Sequence, residues 1–247
     1  MDKDIIIAVN QLTKRFGQFI AVDHISFQVY RGEIFGFLGA NGAGKTTAMR
    51  MLSGLLSPTS GEANILGLDV FRQPEEVKKR IGYMSQRFSL YDTLTVAENI
   101  RFYGGIYGLR GRQLDERGEQ LIRRLGLQDQ AKTQVRHLPG GWKQKLAFSV
   151  AIQHQPQIVF LDEPTGGVDP ITRRQFWELI YEAAAQGITL FVTTHYMDEA
   201  EYCDRVTIMV DGRIAALDSP QALRRRFGED SMQGVFYQLA RQAKRQE

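Results

Sequence analysis

The sequence predicts an α/β fold with a mainly parallel sheet, an N-terminal antiparallel β subdomain and an inserted α-helical subdomain. Three observations predict it. The apolar run 34–38 passes directly into the glycine-rich segment Gly39-Ala40-Asn41-Gly42-Ala43-Gly44-Lys45-Thr46-Thr47, and then into the helix-forming stretch 48–52. After residue 157, short apolar runs alternate with helical patterns, which implies parallel strands with helices on both faces of a sheet. Between about Arg87 and Gln155 the pattern becomes helical, so a helical block interrupts the sheet.

Each element follows from local signals. Residues 5–9 are β-branched and apolar and read as a strand, and residues 19–29 alternate well enough for an antiparallel neighbour ending at Arg31-Gly32. The strand at 34–38, the glycine-rich loop and its helix come next. Residues 57–62 form a turn, 63–66 a short strand, and Pro74 opens a helix in its first turn. Residues 81–84 read as a short buried strand. Thr95 with Glu98 three residues on forms a capping box. Leu114, Leu121, Ile122 and Leu125 give residues 112–125 an amphipathic face, and Gly126 stands where a helix C-cap belongs. The alternation then runs strand 157–161, helix 170–186, strand 188–193, helix 197–202 and strand 206–210.

At chain level, 247 residues suffice for one large α/β domain, or one with an insert. The composition, 43% hydrophobic and 24% charged, is that of an ordinary globular protein. One cysteine, Cys203, excludes an internal disulfide framework and fits a reducing compartment. No apolar run approaches the roughly 18–20 residues that cross a bilayer, and Met1-Asp2-Lys3-Asp4 lacks a signal-peptide plan. A net charge of +3 makes no case for nucleic acid, and Arg224-Arg225-Arg226 reads as a solvated helix face. No zinc-ligand spacing or internal repeat is present.

The loop Gly39–Thr47 fits G-x-x-x-x-G-K-[ST] between a strand and a helix. Glycines let its backbone wrap an anion and point successive N–H groups inward, and the helix N-terminus adds partial positive charge. Lys45 is placed to reach the β- and γ-phosphates, and the Thr46 hydroxyl to hold Mg²⁺. Such a loop binds a nucleoside triphosphate. A second apolar strand, 158–161, ends in Asp162-Glu163-Pro164, which delivers two carboxylates to the sheet edge where α/β proteins bind ligands. Asp162 suits Mg²⁺ coordination through water, and Glu163, facing differently, suits a general base orienting the attacking water. A third strand closes on His195; by itself a strand-end histidine is more often structural than catalytic.

In combination these motifs resemble one family, the ATP-binding-cassette ATPases, over essentially residues 5 to 220. The resemblance makes the parallel sheet a P-loop NTPase core, with Walker A at Gly39–Thr47, Walker B at 158–162 and Glu163 at the catalytic glutamate. Gln86 matches the Q-loop glutamine, which in the family touches Mg²⁺ and meets the membrane partner. Phe16 in Lys14-Arg15-Phe16-Gly17 matches the A-loop aromatic that stacks on adenine, where tyrosine is commoner. Asp169 matches the D-loop aspartate, and His195 the switch histidine that contacts the γ-phosphate. The helical block corresponds to the signature subdomain, whose loop binds the γ-phosphate held by a second subunit. The corresponding segment is here Leu138-Pro139-Gly140-Gly141-Trp142-Lys143-Gln144, where the family favours Leu-Ser-Gly-Gly-Gln. Gly140 and Gly141 keep the close backbone approach, Pro139 lacks the serine hydroxyl, and Trp142 replaces an amide with an aromatic body.

The resemblance implies one cassette over 1–247: catalytic core with β subdomain at 1–86 and 156–220, helical subdomain at 87–155, and a helical tail at 221–247. It implies ATP and Mg²⁺ as cofactors, ATP-driven dimerisation with a second cassette (identical or not), and no nucleic-acid partner. Residues 165–170 and 194–201 and the short tail with Val235-Phe236 look like exporters of the ABC-2, drug-efflux type. Their membrane-spanning permease is a separate chain, which places this protein peripherally at the cytoplasmic face of the inner or plasma membrane. The aromatic-rich stretch Phe88, Tyr91, Phe102, Tyr103 and Tyr107 could receive the permease or fill the helical core. Alternatives are a soluble cassette in translation or DNA repair, a low-turnover regulatory subunit, and one cassette of a tandem protein.

Overall fold

The computed structural model describes residues 4–86 and 90–242. Strands β1 (Ile5–Phe16) and β2 (Phe19–Tyr30) form a long antiparallel hairpin closed by Gly17-Gln18. With β4 (Ser60–Ile65) and β5 (Leu68–Asp69) they make a four-stranded sheet of order β2-β1-β4-β5. β1 continues well past Val9, its expected end. Register shifts between Val9 and Leu12, with Gln11 at φ 48°, break the apolar alternation but not the strand.

The second sheet contains β3 (Ile34–Gly39), β6 (Ile81–Met84), β7 (Ile158–Asp162), β8 (Thr189–Thr194), β9 (Arg205–Val210) and β10 (Arg213–Asp218). Its order is β10-β9-β3-β8-β7-β6, parallel except for the β9–β10 hairpin. Because strand side chains alternate between faces, the central strands divide their residues between two cores. Ile34, Leu38, Val159, Leu161, Leu190 and Val192 join a cluster with Phe148, Phe176 and Trp177. Phe35, Phe37, Ile158, Phe160 and Phe191 face the antiparallel sheet instead. There Phe191 meets Phe35, Phe37 and Phe160 at 5.3–5.6 Å between ring centroids, with Phe27 of β2 at 6.1 Å. Aromatic contacts thus join the two sheets behind the phosphate loop.

The helices are α1 (Lys45–Leu52), α2 (Pro74–Lys78), α3 (Val96–Ile106), α4 (Gly111–Arg124), α5 (Gly140–Ile152), α6 (Pro170–Ala185), α7 (Pro220–Phe227) and α8 (Met232–Gln242). The capping box at Thr95 forms in full. Gly126, at φ 66°, ends α4 as its N–H donates to Arg123 O while Leu127 N–H donates to Ile122 O. Val96, Ile100, Leu121, Leu127, Val135 and Leu146 build a separate core within the helical block. Two details differ from expectation. Residues 197–202 form a 3₁₀ segment rather than an α-helix, and β10 follows β9 through Asp211-Gly212, both at positive φ.

Leu223, Met232 and Val235 pack into the first sheet core. Arg225 and Arg226 are exposed, as a solvated face requires, whereas Arg224 is partly buried and lies 3.4 Å from Glu201. No helix among the described residues is long and apolar enough to cross a membrane.

Candidate active site

Topology brings the site together. Strands β3, β8, β7 and β6 are parallel neighbours, so their C-terminal ends share one edge of the sheet. The phosphate loop leaves β3, His195 follows β8, Asp162 and Glu163 end β7, and Gln86 lies two residues beyond β6.

Sterics shape the loop. Gly44 has φ 101°, and a Cβ there would stand 2.3 Å from Ala21 O; one on Gly39 would stand 2.5 Å from Met209 O. Only glycine fits either position. A Cβ on Gly42 meets no atom within 4 Å, so the loop is open at that residue, and Ala40, Asn41 and Thr46 are exposed around it. Ala43 is buried and Thr47 half-buried. Lys45 turns back into the loop, donating to Gly39 O (2.8 Å) and Ala40 O (3.1 Å). It retains only 4% of its exposure, and burial pulls its ammonium below the ordinary lysine range against the opposing pull of Glu163.

Glu163 is the hub. Its Oε1 lies 3.3 Å from Lys45 Nζ, and its Oε2 accepts a hydrogen bond from Gln86 Nε2 at 3.0 Å. His195 Nδ1 approaches Oε2 to 3.1 Å, an ion-pair distance without hydrogen-bond alignment. The residue has φ 46°, unusual outside glycine. Its N–H donates to Thr193 O and Thr193 Oγ1, and its carbonyl accepts from Gly166 N–H. Asp162 faces the other way, where its Oδ1 accepts from Thr46 Oγ1 (3.2 Å) and Thr193 Oγ1 (2.7 Å). Burial raises its carboxyl above the usual range, although both hydroxyls oppose the shift.

These residues fit a nucleotide and its metal. The Thr46 hydroxyl and Asp162 carboxylate are adjacent hard oxygen donors of the kind Mg²⁺ selects, and Gln86 keeps its carbonyl oxygen outside the bond to Glu163. The open glycine cradle, with one buried ammonium, suits a phosphate chain.

The other expected residues lie apart from this cluster. Phe16 ends β1 with its ring 49% exposed, opposite Phe19, and Lys14 Nζ covers one face at 5.1 Å. Pro139 to Trp142 open α5, and with Lys145, Gly167, Asp169 and Thr172 they line a depression of about 480 Å³ to which no phosphate-loop residue contributes. Pro139 is the N-cap of that helix (φ −55°, ψ 150°) rather than its first-turn residue, so its missing N–H falls outside the helix. Asp169 caps α6, its carboxylate accepting from Ile171 N–H, Thr172 N–H and Thr172 Oγ1. The aromatics of the helical block divide between the two alternatives. Tyr91 and Phe102 are exposed, Tyr103 packs against the helical core and Tyr107 stacks on His154 at 3.8 Å, while Phe88 lies outside the described residues.

Sequence reasoning assigned no role to Thr193 as the holder of both carboxylate residues, nor to two anchors of the turn after Glu163. Gln144 on α5, wholly buried, donates to Pro164 O, and buried Glu199 accepts from Thr165 Oγ1 at 2.6 Å. No local signal marked these three residues, because their partners are brought to them by the tertiary fold.

Residues 22–166 match the family model described as ABC transporter. The chain belongs to the ABC transporter ATP-binding family. Over 239 residues it is 47% identical to the probable multidrug ABC transporter ATP-binding protein YbhF of Escherichia coli, covering 95% of this chain and 41% of that protein. It therefore spans less than half the length of that relative. The linearmycin resistance ATP-binding protein LnrL of Bacillus subtilis is 35% identical over 228 residues, or 92% of this chain and 73% of that protein. A solved structure of an ATP-binding subunit of an ABC transporter superposes with TM-score 0.84 at 29% identity, covering 95% of this chain and 99% of the other.

Proposed function

We propose that this cassette hydrolyses ATP to drive export through a separate membrane-spanning permease, working as a pair with a second cassette at the cytoplasmic face of the membrane. The convergence of Lys45, Gln86 and His195 on Glu163, beside the Asp162–Thr46 pair, carries the reading. The named relatives, a multidrug transporter component and a resistance protein, support the exporter assignment.

The phosphate chain lies in the loop Gly39–Thr47, where inward N–H groups and Lys45 offset its charge, and the exposed Phe16 face stacks on the base. Thr46 and Asp162 would hold Mg²⁺, with Gln86 close by. When bound, the ion supplies neutralisation of charge developing on the phosphates. Glu163 accepts a proton from the attacking water, and Lys45, Gln86 and His195 hold its carboxylate where that proton is delivered. The second cassette presents Pro139 to Trp142 to the nucleotide from the opposite side. Asp169 then acts by fixing the N-terminus of α6 at the edge of that surface.

Extraction of the native protein from membranes in mild detergent tests this reading. A polytopic membrane protein should co-purify in stoichiometric amount, and addition of that protein should stimulate ATP hydrolysis. Recovery only in the membrane-free fraction, with unstimulated hydrolysis, would refute the export assignment.

A further inference from the structure

The turn that carries Glu163 is held from several directions. Thr193 on β8 fixes its N–H, Gly166 closes the turn, and Glu199 in the 197–202 segment holds the Thr165 hydroxyl. Each of these partners belongs to the turn itself or to the sheet core and its connections. The remaining anchor, Gln144 on Pro164 O, comes from α5 in the helical block. Gln144 has no exposed surface, and its Oε1 has no partner. A buried amide so placed is costly unless its one bond is held, so the Nε2–Pro164 contact fixes α5 to the turn.

Gln144 stands about one helical turn from Gly140 and Gly141, at the start of the same rigid helix. A displacement at the helix N-terminus therefore reaches Pro164 with little loss. Glu163 immediately precedes Pro164 and has a backbone conformation that persists only while its surroundings impose it. We infer that Gln144 is a positioning residue linking the two nucleotide sites: contact of its own helix with the partner's nucleotide sets the Glu163 turn of its own site. The inference rests on the two-cassette reading above.

Two mixtures of full-length chains test it, because the link runs within one chain. In the first, a limiting Gln144→Met chain is saturated with Glu163→Gln chain, so the intact base and the altered helix share a chain. In the second, limiting wild-type chain is saturated with a chain carrying both changes, so the altered helix faces an intact base from across the interface. Against a reference of limiting wild-type chain saturated with Glu163→Gln chain, the inference predicts turnover per limiting chain about 10- to 100-fold lower in the first mixture and within about twofold in the second. Binding of a fluorescent ATP analogue to the Gln144→Met monomer should stay within about twofold of wild type, which a general loss of structure would not allow. The reverse pattern, or equal turnover in both mixtures, overturns the link but leaves the two-cassette reading standing. Turnover that ignores mixing altogether overturns both. If Gln144→Met does not fold, Gln144→Asn, which keeps the amide but withdraws it by one carbon, is held to the same outcomes.

Discussion

Replacing Lys45 by Met tests the electrostatics on which the site depends. Methionine keeps the unbranched stem and removes the ammonium, which has 4% exposure against 8% for Glu163 and lies 3.3 Å from its carboxylate. Breaking a buried pair from one side costs about 3–5 kcal/mol, because the other charge stays buried without compensation. Here the lower end applies. Glu163 still has the Gln86 amide and the nearby His195 ring, and burial already disfavours the Lys45 charge. A loss of about 3 kcal/mol in a domain of this size lowers Tm by about 6–12 °C. Glu163→Gln should cost less, since Lys45 keeps two carbonyl acceptors and burial already favours its neutral form. The chain carrying both changes strands neither member of the pair, Asp162 keeping its two hydroxyl partners, and its stability should return to within about 1 kcal/mol of wild type while hydrolysis stays abolished. Thermal and urea unfolding of the four proteins, without nucleotide, give the coupling energy directly. Losses that simply add would refute the claim that the pair acts as a unit.

Other predictions follow from single contacts. Asp162→Asn removes a carboxyl that burial holds above its ordinary range. Ionising Asp162 in the folded protein costs stability as pH rises, so the variant should match wild type near pH 4 and exceed it in Tm at neutral pH, with Mg-dependent hydrolysis lost; equal Tm at both pH values would contradict this. Gly44→Ala meets both φ 101° and the Ala21 carbonyl, so calorimetry should detect no ATP binding; retained affinity would discount the backbone argument. Pro139→Ser supplies an N-cap and a hydroxyl to α5 and should raise the hydrolysis rate up to about tenfold, whereas an unchanged rate would show that the hydroxyl is not limiting. Phe16→Ala should weaken ATP about tenfold but leave tripolyphosphate binding unchanged; an equal loss for both would remove its role as a base platform.

Much of the architecture was legible because strands and loops carried strong local signals. The apolar run at 34–38 and the glycine pattern after it left few alternatives, and Thr95 with Glu98, Pro74 and Gly126 marked helix ends through backbone chemistry that acts locally. β10 was obscured because Arg213–Asp218 mixes polar and apolar residues and is defined by pairing with β9. The 3₁₀ character of residues 197–202 is likewise tertiary. Glu199 is drawn into the core by Thr165, and the N–H groups of Glu199 and of Cys203, which caps the segment, bond three residues back.

The site followed the same division. Lys45, Thr46, Asp162, Glu163, Gln86 and His195 could be picked out by spacing, and the parallel sheet brings them to one edge. Thr193, Gln144 and Glu199 could not, since their roles arise from contacts between residues 20 to 34 positions apart in sequence. The Pro139–Trp142 turn lines a depression without phosphate-loop residues, and Phe16 is covered by Lys14, so both enter the site only under the proposal of a nucleotide shared with a second cassette.

The most direct test of that shared site is the solution mass of Glu163→Gln with Mg²⁺ and ATP, measured by light scattering during size exclusion. The account predicts two chains with ATP, one chain with ADP, and loss of the pair when Lys45→Met is added. A single-chain mass under all three conditions would contradict it.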